Sequence, residues 1–129
     1  MNVVDSSAWL EYFADGPSAS DFAEPIEAPG ELAVPTLTVF EVFKRTCRIK
    51  DEATALEVVG LMLQGHVVDL SSSLALDAAR LSLETGLALA DSIILATARS
   101  LDAVLWTQDA HFDGMANVEF REKREPMAG

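Results

Sequence analysis

The chain alternates short apolar segments, rich in β-forming residues, with longer segments of helical pattern, and this alternation restricts its fold more than any other feature. Short apolar strands that alternate with helices build parallel sheets covered by helices on both faces. The predicted strands are residues 2–5, 32–34, 66–70, 103–106 and 118–120. We therefore predict an α/β fold of the three-layer α/β/α type, with a central, mainly parallel sheet of four to five strands.

Serine, threonine and aspartate stand at predicted helix starts, and glycine follows several of the ends, as helix capping favours. The predicted helices are residues 8–14, 18–26, 36–49, 51–64, 71–85 and 89–101. Helical spacing of larger side chains predicts a buried apolar stripe on the third helix. The members of that stripe are Thr36, Phe40, Phe43 and Cys47.

The length of 129 residues suits one domain with a substantial core. We predict a domain over residues 1–120 and a charged, flexible tail over residues 121–129. The single cysteine, Cys47, cannot form an internal disulfide, which fits a reducing compartment. The N-terminus lacks the basic region of a signal peptide, and no apolar run approaches the ~20 residues that span a bilayer. We expect a cytoplasmic protein with no membrane partner.

The charge is unevenly distributed along the chain. The net charge is −12, whereas proteins that bind phosphate backbones usually carry a basic face. Residues 1–43 contain eight acids and no lysine or arginine, and four of the nine bases then fall within residues 44–50. Three more bases fall within residues 121–124, so the positive charge is localised, and one patch, which includes Lys44, Arg45 and Arg48, follows Glu41 directly.

Four acidic residues stand beside or within apolar segments: Asp5, Glu41, Asp91 and Asp109. Asp5 and Asp109 lie at the carboxyl ends of predicted strands, and ligands of parallel sheets bind beyond these ends. Asp91 lies inside an apolar segment, where an unpaired charge is costly to bury. We expect the four carboxylates to converge.

Two of these acids also have a structural interpretation at the strand ends. Asp5 can cap the helix that follows it, although Ser6 or Ser7 can do so instead. Asp109 or Thr107 can cap the short turn after the fourth strand. Capping alone would give these residues no chemical function.

The two helical acids also allow two interpretations. Asp91 can cap its helix, although the apolar pattern before it places it inside the first turns. Glu41 can form an i,i+4 pair with Arg45, worth only ~0.2–0.5 kcal/mol. Alternatively, it shares a helix face with the bases Lys44, Arg45 and Arg48, which suits a metal site beside a phosphate backbone.

Converging carboxylates have a natural partner in a divalent cation. Mg²⁺ binds hard oxygens and keeps several waters, so a few carboxylates suffice. A bound ion can activate water for attack on phosphorus, and no side-chain nucleophile is then required. The sequence has no glycine-rich phosphate loop, CxxC motif or paired-histidine metal motif. His66 and His111 are assigned polar surface or satisfied core roles.

The order of these features resembles the PIN-domain family and, more narrowly, VapC-type toxin ribonucleases of bacterial or archaeal toxin–antitoxin pairs. The resemblance extends over residues 2–120. It is carried by Asp5 with two following serines, Glu41 on the third helix, the pair Ala90-Asp91, and residues 107–112. Two departures are the tripeptide Thr-Gln-Asp, where Thr-Asn-Asp or Ser-Asn-Asp is more familiar, and the low overall charge.

The resemblance implies a Mg²⁺- or Mn²⁺-dependent endoribonuclease that cleaves exposed loops of RNA. The implied metal-binding and catalytic residues are Asp5, Glu41, Asp91 and Asp109. The implied supporting residues are Thr107 and Ser7, and the residues expected to contact RNA phosphates are Lys44, Arg45 and Arg48. The expected protein partners are a VapB-like antitoxin, which places a basic residue in the acidic site, and a second copy of the chain in a homodimer.

Other classes of protein fit less well. A receiver-type signalling module needs a phosphoacceptor aspartate after a middle strand and a lysine after a late strand. Here Val34 is followed by Pro35, and no lysine lies between Trp106 and Lys123. A haloacid-dehalogenase-like phosphatase needs Asp-x-Asp after the first strand, which is absent. A non-catalytic PIN-like binding protein normally lacks some of the acids, and this chain has all four.

Overall fold

The computed structural model describes residues 1–126, so residues 127–129 of the predicted tail lie outside the described part. The sheet contains β1 (Asn2–Val4), β2 (Leu32–Pro35), β3 (His66–Val68), β4 (Val104–Thr107) and β5 (Val118–Phe120). The strand order is β3-β2-β1-β4-β5, and every neighbouring pair is parallel. The predicted fold class is confirmed.

The helices follow the predicted segments with bounds that differ by a few residues. They are α1 (Ser6–Phe13), α2 (Ala23–Ile26), α3 (Thr36–Ile49), α4 (Glu52–Met62), α5 (Ser72–Thr85) and α6 (Leu89–Ser100). The segment predicted as one helix over residues 18–26 begins as a 3-10 turn, Ala19–Phe22, before α2. Gly86 ends α5 with a φ of 76°, a left-handed conformation that glycine adopts without strain.

Both faces of the sheet are buried, each against a different set of helices. Successive strand residues point to opposite faces. Val3 and Leu105 pack in a cluster with α5 and α6, whereas Val4 and Trp106 pack in a second cluster with α1, α3 and α4. This arrangement gives the three predicted layers and leaves the carboxyl ends of the strands uncovered by helices.

The predicted apolar stripe on α3 is wrong. Phe40 is 60% exposed, and the buried face of the helix consists of Thr38, Val42 and Thr46. Thr38 can be buried because its hydroxyl donates a hydrogen bond of 2.6 Å to the carbonyl of Pro35. This orientation of the helix directs Phe40 toward the carboxyl ends of the strands.

Residues 121–126 have no regular secondary structure, but they contact the body of the domain. The backbone N–H of Arg124 donates to the hydroxyl of Ser18 at 2.7 Å, and its guanidinium pairs with Asp21 at 2.7 Å. The boundary at residue 120 stays a prediction.

None of the helices in residues 1–126 is by itself long and apolar enough to cross a membrane. One pair, Ser72–Thr85 with Leu89–Ser100, has sufficient length and apolar composition only when taken together, across a bend of 115°.

Candidate metal centre

The four acids predicted to converge line a single cleft at the carboxyl edge of the sheet. Asp5 follows β1 and Asp109 lies two residues beyond β4, and these two strands are neighbours in the sheet. Asp91 lies in the first turn of α6, and Glu41 lies on α3. The cleft has a volume of about 400 Å³. The three bases predicted to contact RNA, Lys44, Arg45 and Arg48, line it too.

Asp5 both caps α1 and faces the cleft, so the two interpretations of this residue are compatible. Its Oδ1 accepts hydrogen bonds from the backbone N–H of Ala8 at 3.0 Å and from the hydroxyl of Ser7 at 2.9 Å. Its Oδ2 accepts a hydrogen bond from the hydroxyl of Thr107 at 2.7 Å. The residue is only 4% exposed. Its carboxylate is therefore held in one orientation.

The charge of Asp5 is nevertheless unfavourable in this position. The pKa of Asp5 is raised from 3.8 to about 6, mainly by burial and to a smaller extent by the nearby charge of Asp109. The hydrogen bonds from Thr107, Ala8 and Ser7 act in the opposite direction and do not offset burial. A nearby cation would favour the ionised form.

Thr107 connects the carboxylate of Asp5 to the backbone of Asp109, at the ends of two neighbouring strands. Its hydroxyl donates to Asp5, and it accepts a hydrogen bond of 2.9 Å from the backbone N–H of Asp109. Thr107 itself is fully buried. Because one hydroxyl contacts both residues, the spacing between Asp5 and Asp109 is fixed by the end of β4.

Asp91 lies inside the helix and does not cap it, as the apolar pattern before it predicted. α6 begins at Leu89, and its N-cap position is Ala88. Burial raises the pKa of Asp91, and the negative charges of Asp109 and Glu41 add to this effect, while His111 opposes it. The carboxylates therefore lie close enough to repel one another.

Glu41 is fixed by a hydrogen bond across the cleft. The hydroxyl of Ser6, at the start of α1, donates to Glu41 Oε1 at 2.6 Å. The alternative pairing with Arg45 does not occur. Within residues 1–126, no lysine or arginine forms a salt bridge with any of the four acids. His111 is the one basic side chain in this part of the chain that pairs with any of the four acids.

His111 is the residue of this cleft edge that the sequence did not assign to the site. Its side chain is 76% exposed, in agreement with a polar surface position. However, its Nδ1 lies 3.2 Å from Asp109 Oδ1 and 3.8 Å from Asp91 Oδ2. The turn explains this placement, because Asp109 Oδ1 accepts the backbone N–H of His111 at 2.9 Å and folds the residue back. The sequence signal that could have indicated this position of His111 was the aspartate two residues before it, which caps a short turn.

Gln108, the unfamiliar residue of the tripeptide, does not line the acidic cleft. Its side-chain amide donates to Glu11 Oε2 at 3.3 Å, and both residues line a second cleft beside α1. Phe13 lines this second cleft as well, whereas Trp9, one turn earlier on α1, is buried in the core. The glutamine therefore leaves the acidic cleft unchanged.

The donor set fits a hard divalent cation. Carboxylate oxygens are the ligands that Mg²⁺ and Mn²⁺ prefer, and few are needed because such ions keep bound waters. Asp5 is buried with a raised pKa and no basic partner among the described residues, which is the condition that a bound cation relieves. Asp5, Glu41, Asp91 and Asp109 are the residues that could hold the ion.

The family model for the PIN domain matches residues 3–118, and the chain therefore belongs to the PIN domain family. The resemblance found in the sequence is confirmed at this level. No curated protein matches the chain significantly.

Several solved structures share the fold. A toxin–antitoxin complex from Klebsiella pneumoniae contains a chain with 23% identity and a TM-score of 0.80, covering 95% of this chain and 100% of that one. VapBC2 from Rickettsia felis, bound to a DNA fragment from its promoter, gives 14% identity and a TM-score of 0.72, covering 94% and 97%. VapC20 from Mycobacterium tuberculosis, a sarcin–ricin loop cleaving toxin, gives 16% identity and a TM-score of 0.74, covering 97% and 100%. At these identities, the similarity establishes a common fold.

Proposed function

We propose that the protein is a Mg²⁺- or Mn²⁺-dependent endoribonuclease and the toxin of a toxin–antitoxin pair. The observation that carries this proposal is the convergence of four carboxylates, from four separate segments, in one cleft. Membership of the PIN domain family and the fold shared with toxin–antitoxin complexes support it.

In this proposal the four acids hold the ion and the surrounding hydroxyls hold the acids. Asp5, Glu41, Asp91 and Asp109 supply the ligand oxygens, and Thr107 links the carboxylate of Asp5 to the backbone N–H of Asp109. A divalent ion, when bound, supplies the activation of a water nucleophile and the stabilisation of the leaving oxygen. The cluster then needs no serine, cysteine or histidine nucleophile.

The bases on α3 are proposed to hold the RNA backbone. Lys44, Arg45 and Arg48 are exposed and line the same cleft as the acids. Their cations would attract phosphates and offset the repulsion between RNA and the acidic cluster. Structured or loop RNA is the proposed substrate, because sequence-specific recognition of RNA generally uses exposed single-stranded loops.

The proposed protein partners are a VapB-like antitoxin and a second copy of the chain. A net charge of −12 favours a partner with basic residues, and a basic side chain in the acidic cleft would compete with the metal ion. The second cleft, lined partly by Leu10 and Phe13, adjoins the first and would offer apolar contacts. Co-purification with the product of an adjacent small gene tests the antitoxin, and light scattering tests the homodimer.

The direct test of the enzyme is incubation of the purified protein with total RNA. Cleavage is expected with Mn²⁺ or Mg²⁺, and no cleavage is expected with a chelator. The variant Asp5→Asn removes one ligand charge while retaining the size and shape of the side chain, and it should be inactive with either ion. Equal cleavage by wild type with and without chelator would contradict the proposal.

A further inference from the structure

His111 stands apart from the four acids because it offers a nitrogen donor to the same space. Its Nδ1, together with one carboxylate oxygen each from Asp91 and Asp109, forms a group whose three atoms lie within 4.8 Å of one another. The side chain is 76% exposed, so burial in the core does not set its position. Because one of its three donors is an imidazole nitrogen, the group differs from a cluster of carboxylates alone.

The distances within this group match the spacing of ligands around one ion. Bonds of about 2.1 Å to an octahedral ion separate adjacent ligand atoms by about 3 Å and opposite ones by about 4.2 Å. The Nδ1 of His111 lies 3.2 Å from the oxygen of Asp109 and 3.8 Å from that of Asp91. An ion can therefore contact all three atoms after only a small adjustment of an exposed ring.

The backbone also holds the histidine beside Asp109. Residues Ala110–Phe112 form a 3-10 turn that Asp109 caps, and Phe112 anchors the end of the turn in the core. Coordination through Nδ1 would leave the Nε2–H directed to solvent, so no buried donor would be left without a partner.

We propose that His111 is a ligand of the metal ion in this cleft, beside Asp91 and Asp109, and that it makes the site prefer Mn²⁺ and similar transition ions over Mg²⁺. Imidazole is a good ligand for transition ions, whereas Mg²⁺ selects oxygen. This inference rests on the proposed metal-dependent function, and it deepens that function by naming the class of ion.

The test is a comparison of ion binding by wild type, His111→Ala and the control His66→Ala. His66 is the other histidine of the chain and lies exposed at the start of β3, at the edge of the sheet. Titration calorimetry gives the dissociation constants for Mn²⁺ and Mg²⁺ separately. Pulsed electron paramagnetic resonance on bound Mn²⁺ detects a coordinated ¹⁴N nucleus without any assay of activity. Circular dichroism verifies that both variants are folded.

We expect His111→Ala to weaken Mn²⁺ binding by about tenfold or more and to change Mg²⁺ binding by less than about twofold. The nitrogen signal should be present in wild type and His66→Ala and absent in His111→Ala. Unchanged Mn²⁺ affinity, an equal loss for both ions, or a nitrogen signal that persists in His111→Ala would overturn the inference. Tighter binding of both ions would also overturn it, because His111 would then be a competing cation.

The failure of this inference is distinguishable from the failure of the proposed function. A wild-type protein that binds a divalent ion and cleaves RNA, but in which His111→Ala has no selective effect, disproves only the role of His111. A wild-type protein that binds no divalent ion at these acids disproves both.

Discussion

The two walls of the cleft carry opposite charges and are built in different ways. The acidic wall consists of Asp5, Asp91 and Asp109, and the basic wall consists of Lys44, Arg45 and Arg48 on α3. Asp5 is buried and held by three hydrogen bonds from protein groups. In contrast, within residues 1–126 the three bases are exposed and form no salt bridge.

This difference shows that the acidic wall is preorganised and that the basic wall is not. A metal ion needs ligand oxygens at fixed positions, and the acidic wall provides them at a cost in stability, as the raised pKa of Asp5 shows. A flexible phosphate backbone needs only an attractive field, and long exposed side chains provide it without a fixed geometry. Changes in the acidic wall should therefore affect chemistry and stability, whereas changes in the basic wall should affect RNA affinity.

The largest effect is expected from removal of a charge on the acidic wall. Asp91→Asn should lower the rate of RNA cleavage by about 10³-fold or more, because the ion loses a ligand and its surroundings lose a negative charge. Single-turnover cleavage of a defined RNA hairpin measures the loss. The control is Asp113→Asn, which removes an exposed acid four residues beyond Asp109. Comparable activity of Asp91→Asn and Asp113→Asn would show that Asp91 contributes no more to cleavage than an exposed acid outside the cleft.

The second effect is a pH-dependent cost of the acidic wall in the metal-free protein. The pKa of Asp5 is about 6 in the folded state against an ordinary value of 3.8, so folding favours the protonated carboxyl. The stability that it contributes is present below pH ~4 and is lost as the pH rises through 6. Two pKa units correspond to about 3 kcal/mol.

This cost is measured by denaturant unfolding of wild type and of Asp5→Asn at pH 4 and pH 7, with a chelator present. The free energies of unfolding of the two proteins are then compared. Between these pH values, the free energy of unfolding of wild type should fall by about 2–3 kcal/mol relative to that of the variant. The difference between the two proteins isolates Asp5 from the other acids. Parallel pH profiles for the two proteins would contradict the buried, charged state of Asp5.

The third effect concerns the hydroxyl that connects two acids of this wall. Thr107→Val keeps the shape of the side chain but leaves the backbone N–H of Asp109 and an oxygen of Asp5 without their partner. We expect a loss of about 1–3 kcal/mol in the free energy of unfolding and a lower cleavage rate. Thr107→Ser retains the hydroxyl and should restore most of the activity. If Thr107→Ser were as impaired as Thr107→Val, packing and not the hydrogen bonds would explain the loss.

The smallest effect is expected on the basic wall. Arg45→Glu should weaken RNA binding by about tenfold and reduce the dependence of affinity on salt, while Mn²⁺ binding stays unchanged. Fluorescence anisotropy at several salt concentrations measures both quantities. The matched control is Arg80→Glu, which makes the same charge change on α5, outside the lining of the cleft. Equal RNA affinity of the two variants would show that the basic wall does not hold RNA.

Much of the fold and of the acidic wall could be predicted because strand ends are readable in a sequence. The apolar segments predicted β1 and β4. The parallel pairing of these two strands brings Asp5 and Asp109 together at the carboxyl ends of the strands. Asp91 on α6 and Glu41 on α3 line the same cleft from the helices. Their roles in metal binding and catalysis stay predictions.

Two features could not be predicted from the sequence because they depend on individual hydrogen bonds. The buried face of α3 contains threonines, and Thr38 is buried because it donates to the carbonyl of Pro35, so a search for apolar spacing selected Phe40 instead. His111 reaches the acids because Asp109 caps the turn that carries it. Helical spacing and strand alternation report neither kind of contact.

The most direct measurement of the central claim is the identity of the RNA ends that wild type produces with Mn²⁺. If the acidic wall holds an ion that activates water, each cut leaves one linear phosphate end and one hydroxyl end, and chelation stops the reaction. Mass spectrometry of the fragments of a defined RNA hairpin distinguishes the products. Linear phosphate ends formed only with the ion are the predicted result. Ends carrying 2′,3′-cyclic phosphate, or cleavage that continues in chelator, would contradict the account.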